Sequence, residues 1–172
     1  YWAAESSELE FWPSCYNSAI TGFENELWRT DDGCNSFYQW ATFGNNSADR
    51  ITYIEFCKTK PAVIYVCQQQ NSPAAGKLWK TTDGGQNWQQ LPLPAISGNS
   101  KKIVLQVDPI DENKLWLAFA NGPNGNKVFS SSNGGLNWTN LTTAALNNEN
   151  IHSLVYIPNS NEGLYVGTNK GI

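Results

Sequence analysis

The sequence predicts an all-β fold made of a repeated antiparallel unit, and two observations carry this prediction. The first is an eight-residue segment that begins at Thr81, is repeated from Ser131 and returns in altered form from Thr30, with spacings of 50 and 51 residues. The second is that strand-like apolar runs precede and follow each copy, with no helical pattern between them. A period this regular indicates that each unit buries its faces against its neighbours.

The repeated segment has the composition of a tight turn. Its copies, called box turns below, are residues 30–37, 81–88 and 131–138. An Asp or Asn side chain such as Asp83 accepts hydrogen bonds from backbone N–H groups, and the glycines after it supply positive φ. Trp88 then folds back over the turn and buries about 150–250 Å². Each box turn is therefore predicted to be a rigid hairpin corner and not a catalytic group.

This arrangement resembles the Asp-box, or BNR repeat, of β-propellers such as sialidases, xyloglucanase-type glycoside hydrolases, sortilin-type receptors and secreted bacterial Asp-box proteins. The family pattern is Ser/Thr-x-Asp-x-Gly-x-x-Trp on the turn between the third and fourth strands of a blade. The first copy has Cys34 where the family has glycine. The residues assigned to the pattern are Thr30, Asp32, Gly33 and Phe37, then Thr81, Asp83, Gly85 and Trp88, then Ser131, Asn133, Gly135 and Trp138.

The resemblance implies a β-propeller segment of about three four-stranded antiparallel blades, part of a larger propeller. Residues 1–40 are expected to be the end of blade 1, with 1–4 as its second strand and 5–26 as a long inserted loop. Blade 2 is then 41–91, blade 3 is 92–141, and 142–172 begin blade 4. Since propellers have about 4–8 blades, we expect this incomplete domain to belong to a longer polypeptide with further domains.

Composition and charge narrow the classes of partner. The net charge is −4 and the only arginines are Arg29 and Arg50, which argues against nucleic acid and anionic membranes. No apolar run is long enough to span a bilayer, so no membrane insertion is predicted. The eight tryptophans and seven tyrosines suit an extracellular or cell-surface β protein that binds sugar, or simply fill the space between blades.

Recognisable catalytic chemistry is missing from the sequence. It contains no metal-ligand spacing, phosphate loop or Ser-His-Asp set, so neither a metal nor a cofactor is predicted, and the single histidine, His152, is interpreted as structural. Cys57 and Cys67 lie at opposite ends of a predicted two-strand ladder, too far apart to pair. A disulfide between Cys15 and Cys34 is the possible bridge, and it would indicate an oxidising compartment.

A ligand is expected on the face opposite the box turns, because alternate strand connections of a propeller emerge on opposite faces. Trp12 would stack on a ring there and carboxylates would accept hydrogen bonds from hydroxyl groups; the alternative is a loop that is merely solvated. The candidate ligand-binding residues are Glu8, Glu10, Trp12 and Tyr16, with Gln69, Asn71 and Asn124 as neighbours.

Three functions fit these features. The first is a secreted or surface-displayed binding or adhesion propeller, for a glycan or an extracellular protein, within a larger protein. The second is a xyloglucanase-like glycoside hydrolase, whose inverting carboxylates would lie about 6.5–9.5 Å apart and would include Glu8 or Glu10; a sialidase is disfavoured because arginines are scarce. The third is a sortilin-like receptor. The first is preferred because nothing catalytic is recognisable.

Overall fold

A computed structural model describes residues 9–70, 76–96, 102–158, 160 and 163–172. Within these ranges the regular elements are β-strands apart from one short 3-10 turn, Ala144–Leu146. The strands form three four-stranded antiparallel sheets and one two-stranded sheet, in which each strand pairs with the next along the chain. The predicted propeller segment of four-stranded antiparallel blades is therefore confirmed. In the described part of the chain no helix is long and apolar enough to cross a membrane.

The strands follow the repeat in sequence order. Blade 1 is β1 (Leu9–Trp12), β2 (Cys15–Phe23), β3 (Glu26–Thr30) and β4 (Tyr38–Thr42). Blade 2 is β5 (Arg50–Phe56), β6 (Ile64–Gln69), β7 (Lys77–Thr81) and β8 (Gln89–Leu91). Blade 3 is β9 (Ile103–Val107), β10 (Leu115–Phe119), β11 (Val128–Ser131) and β12 (Thr139–Asn140), and β13 (Ile151–Tyr156) and β14 (Leu164–Thr168) form the two-stranded sheet.

The first blade corrects the expectation of a long loop over 5–26. Residues 9–23 form a hairpin, in which Leu9 pairs with Thr21 and Phe11 with Ala19. Its tight turn places Ser14 at a φ of 66°. The second strand of the blade is β2, so the assignment of 1–4 to that strand is wrong, and residues 1–8 themselves lie outside the described ranges. Leu9 and Phe11 are exposed on one side of β1, whereas Glu10 and Trp12 are half-buried on the other, because successive strand residues point to opposite sides.

The core lies in the seams between successive blades. Strand β6 shows why: Ile64 and Val66 face one seam, while Tyr65 and Cys67 face the other, since neighbouring strand residues point to opposite sides. Ile20, Ile54 and their neighbours fill the seam between blades 1 and 2, called seam 1/2. Leu105 and Leu117 belong to the cluster of seam 2/3, and Val104 and Trp116 to that of seam 3/4. Strands covered on both faces read as continuous apolar runs.

The cysteines divide into a buried pair and an exposed pair. Cys57 and Cys67 are fully buried and unbridged, as predicted for small apolar residues. Cys15 and Cys34 are exposed free thiols, so the predicted bridge between them is not formed. The Cys15 Sγ lies 3.3 Å from the Ser18 hydroxyl oxygen. Cys34 occupies a turn position with a φ of 68°, where the equivalent residues are glycines.

Candidate functional site

The box turns share one hydrogen-bonding geometry. In the second turn the Thr81 hydroxyl donates to Asp83 Oδ1 over 2.7 Å and accepts from the Gly85 N–H over 3.0 Å. Asp83 in turn accepts from the backbone N–H of Asn87 at Oδ1 and from the side-chain amide of Asn87 at Oδ2. The hydroxyl and the carboxylate therefore close the corner from within.

The other two box turns repeat these contacts despite their substitutions. Thr30 donates to Asp32 over 2.8 Å, and Ser131 donates to Asn133 over 3.0 Å. The backbone N–H of Cys34 reaches Thr30 Oγ1 over 3.1 Å, where the other copies use a glycine N–H. The three segments therefore form the same hydrogen-bonded turn.

Hydrogen bonds lower the pKa of the box carboxyls. Those from Asn87 are the largest cause that holds the pKa of Asp83 at about 2, with a further contribution from the Thr81 hydroxyl. Bonds from Ser36, followed by one from Thr30, bring the pKa of Asp32 to about 2 as well. These carboxylates are already engaged in the hydrogen bonds of the turn, so they are structural groups and not free acids or bases.

The two box tryptophans occupy equivalent places. Trp88 packs against Trp40 and Phe43 of blade 1, at centroid distances of 6.1 and 5.1 Å. Trp138 lies against the segment that leaves blade 2, where its Nε1 donates to the Pro92 carbonyl over 2.9 Å. Each indole therefore packs on the preceding blade.

The blades give the segment two faces. One, the box face, carries the box turns together with the hairpins after β1, β5, β9 and β13. The other, the opposite face, carries the turns after β2 and β10, the end of β6, the start of β7 and the starts of the inner strands β5, β9 and β13. A groove of about 450 Å³ lies on the opposite face, where the inner strands begin, and it is lined by Gln69, Lys102, Ala120, Asn121, Asn150, Ile151 and His152.

Backbone hydrogen bonds within blade 3, and between blade 3 and the two-stranded sheet, build this groove. The N–H of Ala120 donates to the Lys102 carbonyl over 3.0 Å, and the Ala120 carbonyl accepts from the Ile151 N–H over 2.9 Å. These bonds join three strand ends, the start of β9, the end of β10 and the start of β13, and Gln69 at the end of β6 completes the lining. The side chains of Lys102 and His152 are exposed, whereas Ala120 and Ile151 are buried and form the floor.

The polar side chains of the groove keep their hydrogen-bonding capacity. Within the described ranges no hydrogen bond or ion pair engages the side chains of Gln69, Lys102, Asn121, Asn150 or His152. Two nearby amides differ, because their side chains are engaged in the fold: Gln68 donates to the Phe43 carbonyl over 2.9 Å and Asn25 to the Gly44 carbonyl over 2.9 Å. The groove therefore concentrates donors and acceptors that a ligand could satisfy.

The predicted ligand residues are only partly brought together. Gln69 lines the groove, as its position on the opposite face suggested. Asn124 is on that face too, but its side chain bonds Asn148, with Nδ2 donating to Oδ1 over 3.0 Å and Oδ1 accepting from the N–H over 2.8 Å. Glu8 and Asn71 lie outside the described residues.

Trp12 and Tyr16 are not on the opposite face, which corrects their predicted placement. They flank the hairpin between β1 and β2, at the end of the blade that carries the box turn, where the Gly33 N–H donates to the Asn17 carbonyl over 2.9 Å. Trp12 packs in seam 1/2 against Phe56, with the Arg29 guanidinium 4.5 Å from its ring centroid. Its role is therefore packing.

Tyr16 and Glu10 differ from Trp12 in their surroundings. Tyr16 is 87% exposed next to the first box turn. Glu10 lies in the middle of β1, is half-buried and has an interaction partner. Neither residue lines the groove.

Four groove residues were missed from the sequence. One is Lys102, just before β9, and another is Asn121, just after β10. The other two, Asn150 and His152, lie at the start of β13. The available signal was the repeat itself, because the first residues of successive inner strands meet at the same rim.

In the part of the chain that the structure describes, no group of three His, Cys, Asp or Glu side chains could hold a metal ion.

Comparison with solved structures places the fold among β-propeller proteins. An ancestral GH74 enzyme matches with a TM-score of 0.73 at 19% identity, over 95% of this chain and 22% of that chain. The GH74 enzyme of Niastella koreensis matches with a TM-score of 0.69 at 18% identity, over 96% of this chain and 26% of that chain. YCF48 bound to D1 peptide matches with a TM-score of 0.65 at 18% identity, over 96% and 48%.

These likenesses show the fold, and the chain spans about a quarter of the GH74 enzymes and about half of YCF48. A search of curated proteins found no match. The family model described as "Sortilin, neurotensin receptor 3" matches residues 25–170. That range takes in the three box turns, all of blades 2 and 3 and the two-stranded sheet. The chain therefore belongs to the Sortilin-Vps10 family.

Proposed function

We propose that this chain is part of a ligand-binding propeller, displayed outside the cell, that binds a glycan or an extracellular protein at the groove on the opposite face. The observation that carries the proposal is the set of unspent polar side chains in that groove. Three amides, an ammonium and an imidazole converge on a floor of buried apolar residues. A concave surface with a few convergent polar groups is typical of ligand sites.

The groove chemistry favours binding over hydrolysis. Amide side chains each offer both donors and acceptors, which suits the hydroxyls of a glycan and the backbone of an extended peptide equally. An inverting hydrolase needs two carboxyls about 6.5–9.5 Å apart, whereas no carboxylate lines the groove among the residues that the structure describes. A receptor, the role named in the description of the family, also fits a binding site without catalytic groups.

A binding screen with groove variants tests the proposal. Glycan arrays and a peptide library identify a ligand, and its Kd is then measured by calorimetry for Gln69→Ala, Asn121→Ala and Asn150→Ala. Each lost hydrogen bond is worth about 1 kcal/mol, so each variant is expected to weaken binding roughly fivefold. Gln90→Ala is the matched control, because Gln90 is an exposed amide on the outer strand β8, away from the groove.

Two results would count against this function. Equal affinity in the groove variants and in Gln90→Ala would place the ligand elsewhere. Turnover of a xyloglucan substrate that is lost in Glu8→Gln or Glu10→Gln would favour the hydrolase instead, since these are the carboxylates predicted for that chemistry.

A further inference from the structure

A second cavity lies at seam 2/3, on the outer side of blade 3 and away from the groove. It holds about 380 Å³ and is walled by the segment 92–95, by Leu136 at the tip of the third box turn and by the indole of Trp138. Asn137 lies on its rim, and no hydrogen bond engages the Asn137 side chain within the described ranges. All the residues that line the cavity belong to the described ranges of this chain.

The corresponding place at seam 1/2 is filled by the protein itself. There Trp88 is covered by Phe43, edge to face at 5.1 Å, and by Trp40 at 6.1 Å. Trp40 is the extra residue of a β-bulge in β4, because Trp28 pairs with Gln39 and Leu27 with Ala41. The bulge thus adds one aromatic ring to the seam.

Seam 2/3 has smaller residues at these positions. The ladder pairs Leu78 with Leu91 without a bulge, so no residue corresponds to Trp40. Leu93, two residues after Leu91, takes the position that Phe43 has two residues after Ala41. Leu91 thus lies against Gly135 where Trp40 lies against Gly85, and the smaller leucines leave a cavity beside Trp138 that is also lined by Phe129, Asn126 and Asn140.

The tip of the third box turn points to the same conclusion. Leu136 is 54% exposed there, whereas the equivalent tip residues of the other box turns are Asn35 and Gln86. The side-chain amide of Asn137 differs from its counterpart as well. Asn87 donates to Asp83 Oδ2, but Asn133 offers no second carboxylate oxygen at the third turn. Apolar surface and one available amide thus meet at the cavity.

We propose that the seam 2/3 cavity binds an aromatic side chain of a partner peptide or protein. The occupant of the sister seam identifies the chemistry, because a ring packed edge to face on Trp138 would repeat the contact of Phe43 with Trp88. Asn137 would donate to, or accept from, the peptide group beside that side chain. The site is separate from the groove on the opposite face and does not depend on it.

Ligand-observed NMR with N-acetyl-tryptophanamide tests this site. We expect saturation transfer with a Kd on the order of 1 mM, as for a single buried side chain. Leu93→Phe restores the residue of the sister seam and is expected to abolish binding. Leu136→Gln removes one wall and is expected to weaken binding roughly fivefold. Leu141→Gln is the control, since Leu141 is another exposed leucine of blade 3 that lines a different cavity.

Specific outcomes would overturn the proposal. One is the absence of saturation transfer from N-acetyl-tryptophanamide. Another is unchanged binding in both Leu93→Phe and Leu136→Gln, with thermal melts showing that the variants fold. Equal affinity for N-acetyl-leucinamide or methyl β-D-glucopyranoside would also overturn the assignment to an aromatic ring.

Discussion

The two glycines of the second box turn are under different steric constraints. Gly84 and Gly85 both have positive φ, at 69° and 88°. A Cβ on Gly85 would lie 2.2 Å from Cζ2 of Trp40, which belongs to the preceding blade, whereas a Cβ on Gly84 would meet nothing within 4 Å. Gly85 thus serves both the turn and the seam, and Gly84 serves the turn alone.

Alanine substitutions should separate backbone strain in the turn from steric contact with the preceding blade. Gly84→Ala is expected to lower the free energy of unfolding by about 1 kcal/mol, through backbone strain alone. Gly85→Ala adds a clash with a packed indole and is expected to cost about 2–5 kcal/mol. Urea denaturation of both variants measures the difference. Similar losses in the two variants would show that contact with Trp40 does not constrain the turn.

The Asp83 carboxylate links the turn to pH. Because its folded pKa of about 2 lies below the ordinary aspartate value of 3.8, its contribution to stability is complete above pH 3.8 and is lost as the pH falls through 2. Asn133 holds the same place in the third turn without an ionisable group. The chain therefore contains its own control for this effect.

Two reciprocal substitutions test this linkage. Asp83→Asn should reduce the loss of stability between pH 4 and pH 2, and Asn133→Asp should increase it. Urea midpoints measured from pH 6 to pH 2 provide the comparison with the wild type. Parallel profiles for all three proteins would mean that the box carboxylate has the same pKa in the folded and unfolded chains.

At the scale of the element, a single hydroxyl organises each box turn. Thr81 Oγ1 is a donor to Asp83 and an acceptor from two backbone N–H groups, those of Asp83 and Gly85. The residue is buried, so a lost partner cannot be replaced easily by water. The neighbouring Thr82 is exposed and takes no part in these bonds.

Thr81→Ala should therefore destabilise the protein by about 1–3 kcal/mol, while Thr82→Ala should change stability by less than about 0.5 kcal/mol. The double variant Thr81→Ala/Asp83→Ala should lose less than the sum of the single variants, because both act on one network. Chemical denaturation of the wild type, Thr81→Ala, Asp83→Ala and the double variant gives the coupling energy between the two side chains. Strict additivity would contradict a shared network.

The elements differ in how far the sequence predicts them. The box turns are predictable because Asp83, Gly85 and Trp88 act within eight residues of one another. The hairpin of β1 and β2 was missed because Glu10 and Trp12 resemble loop residues until a neighbouring blade gives them a surface to face. Contacts with the neighbouring blade determine that this segment forms a strand, and its local composition does not indicate one.

The groove exceeds local prediction for a similar reason. Gln69 and Asn121 lie 52 residues apart and Lys102 and His152 lie 50 apart, so these residues meet only because successive blades stack. A period identifies equivalent positions but not which of them carry unspent polar groups. That depends on the partners of every other amide, such as the bond of Asn124 with Asn148.

At the scale of the whole molecule, the blades interact as a chain of nearest neighbours. Strand β5 contacts β2 across seam 1/2 and β9 across seam 2/3, and β9 contacts β13 across seam 3/4. Within the described ranges the contacts between strand backbones join successive blades, while the Tyr53 hydroxyl of β5 also reaches past blade 3 and donates to the His152 carbonyl of β13 over 3.3 Å. In such an architecture the stability of a blade depends on its own sheet and on its adjoining seams.

Substitutions in separate seams should therefore have separate footprints. Ile54 is fully buried in seam 1/2, and Leu105 is almost fully buried in seam 2/3. Alanine at either site should cost about 2–5 kcal/mol. Native-state hydrogen exchange followed by mass spectrometry should show Ile54→Ala lowering protection mainly in blades 1 and 2, and Leu105→Ala lowering it mainly in blades 2 and 3. If either variant lowered protection equally in all four sheets, the segment would unfold as one cooperative unit and the nearest-neighbour description would fail.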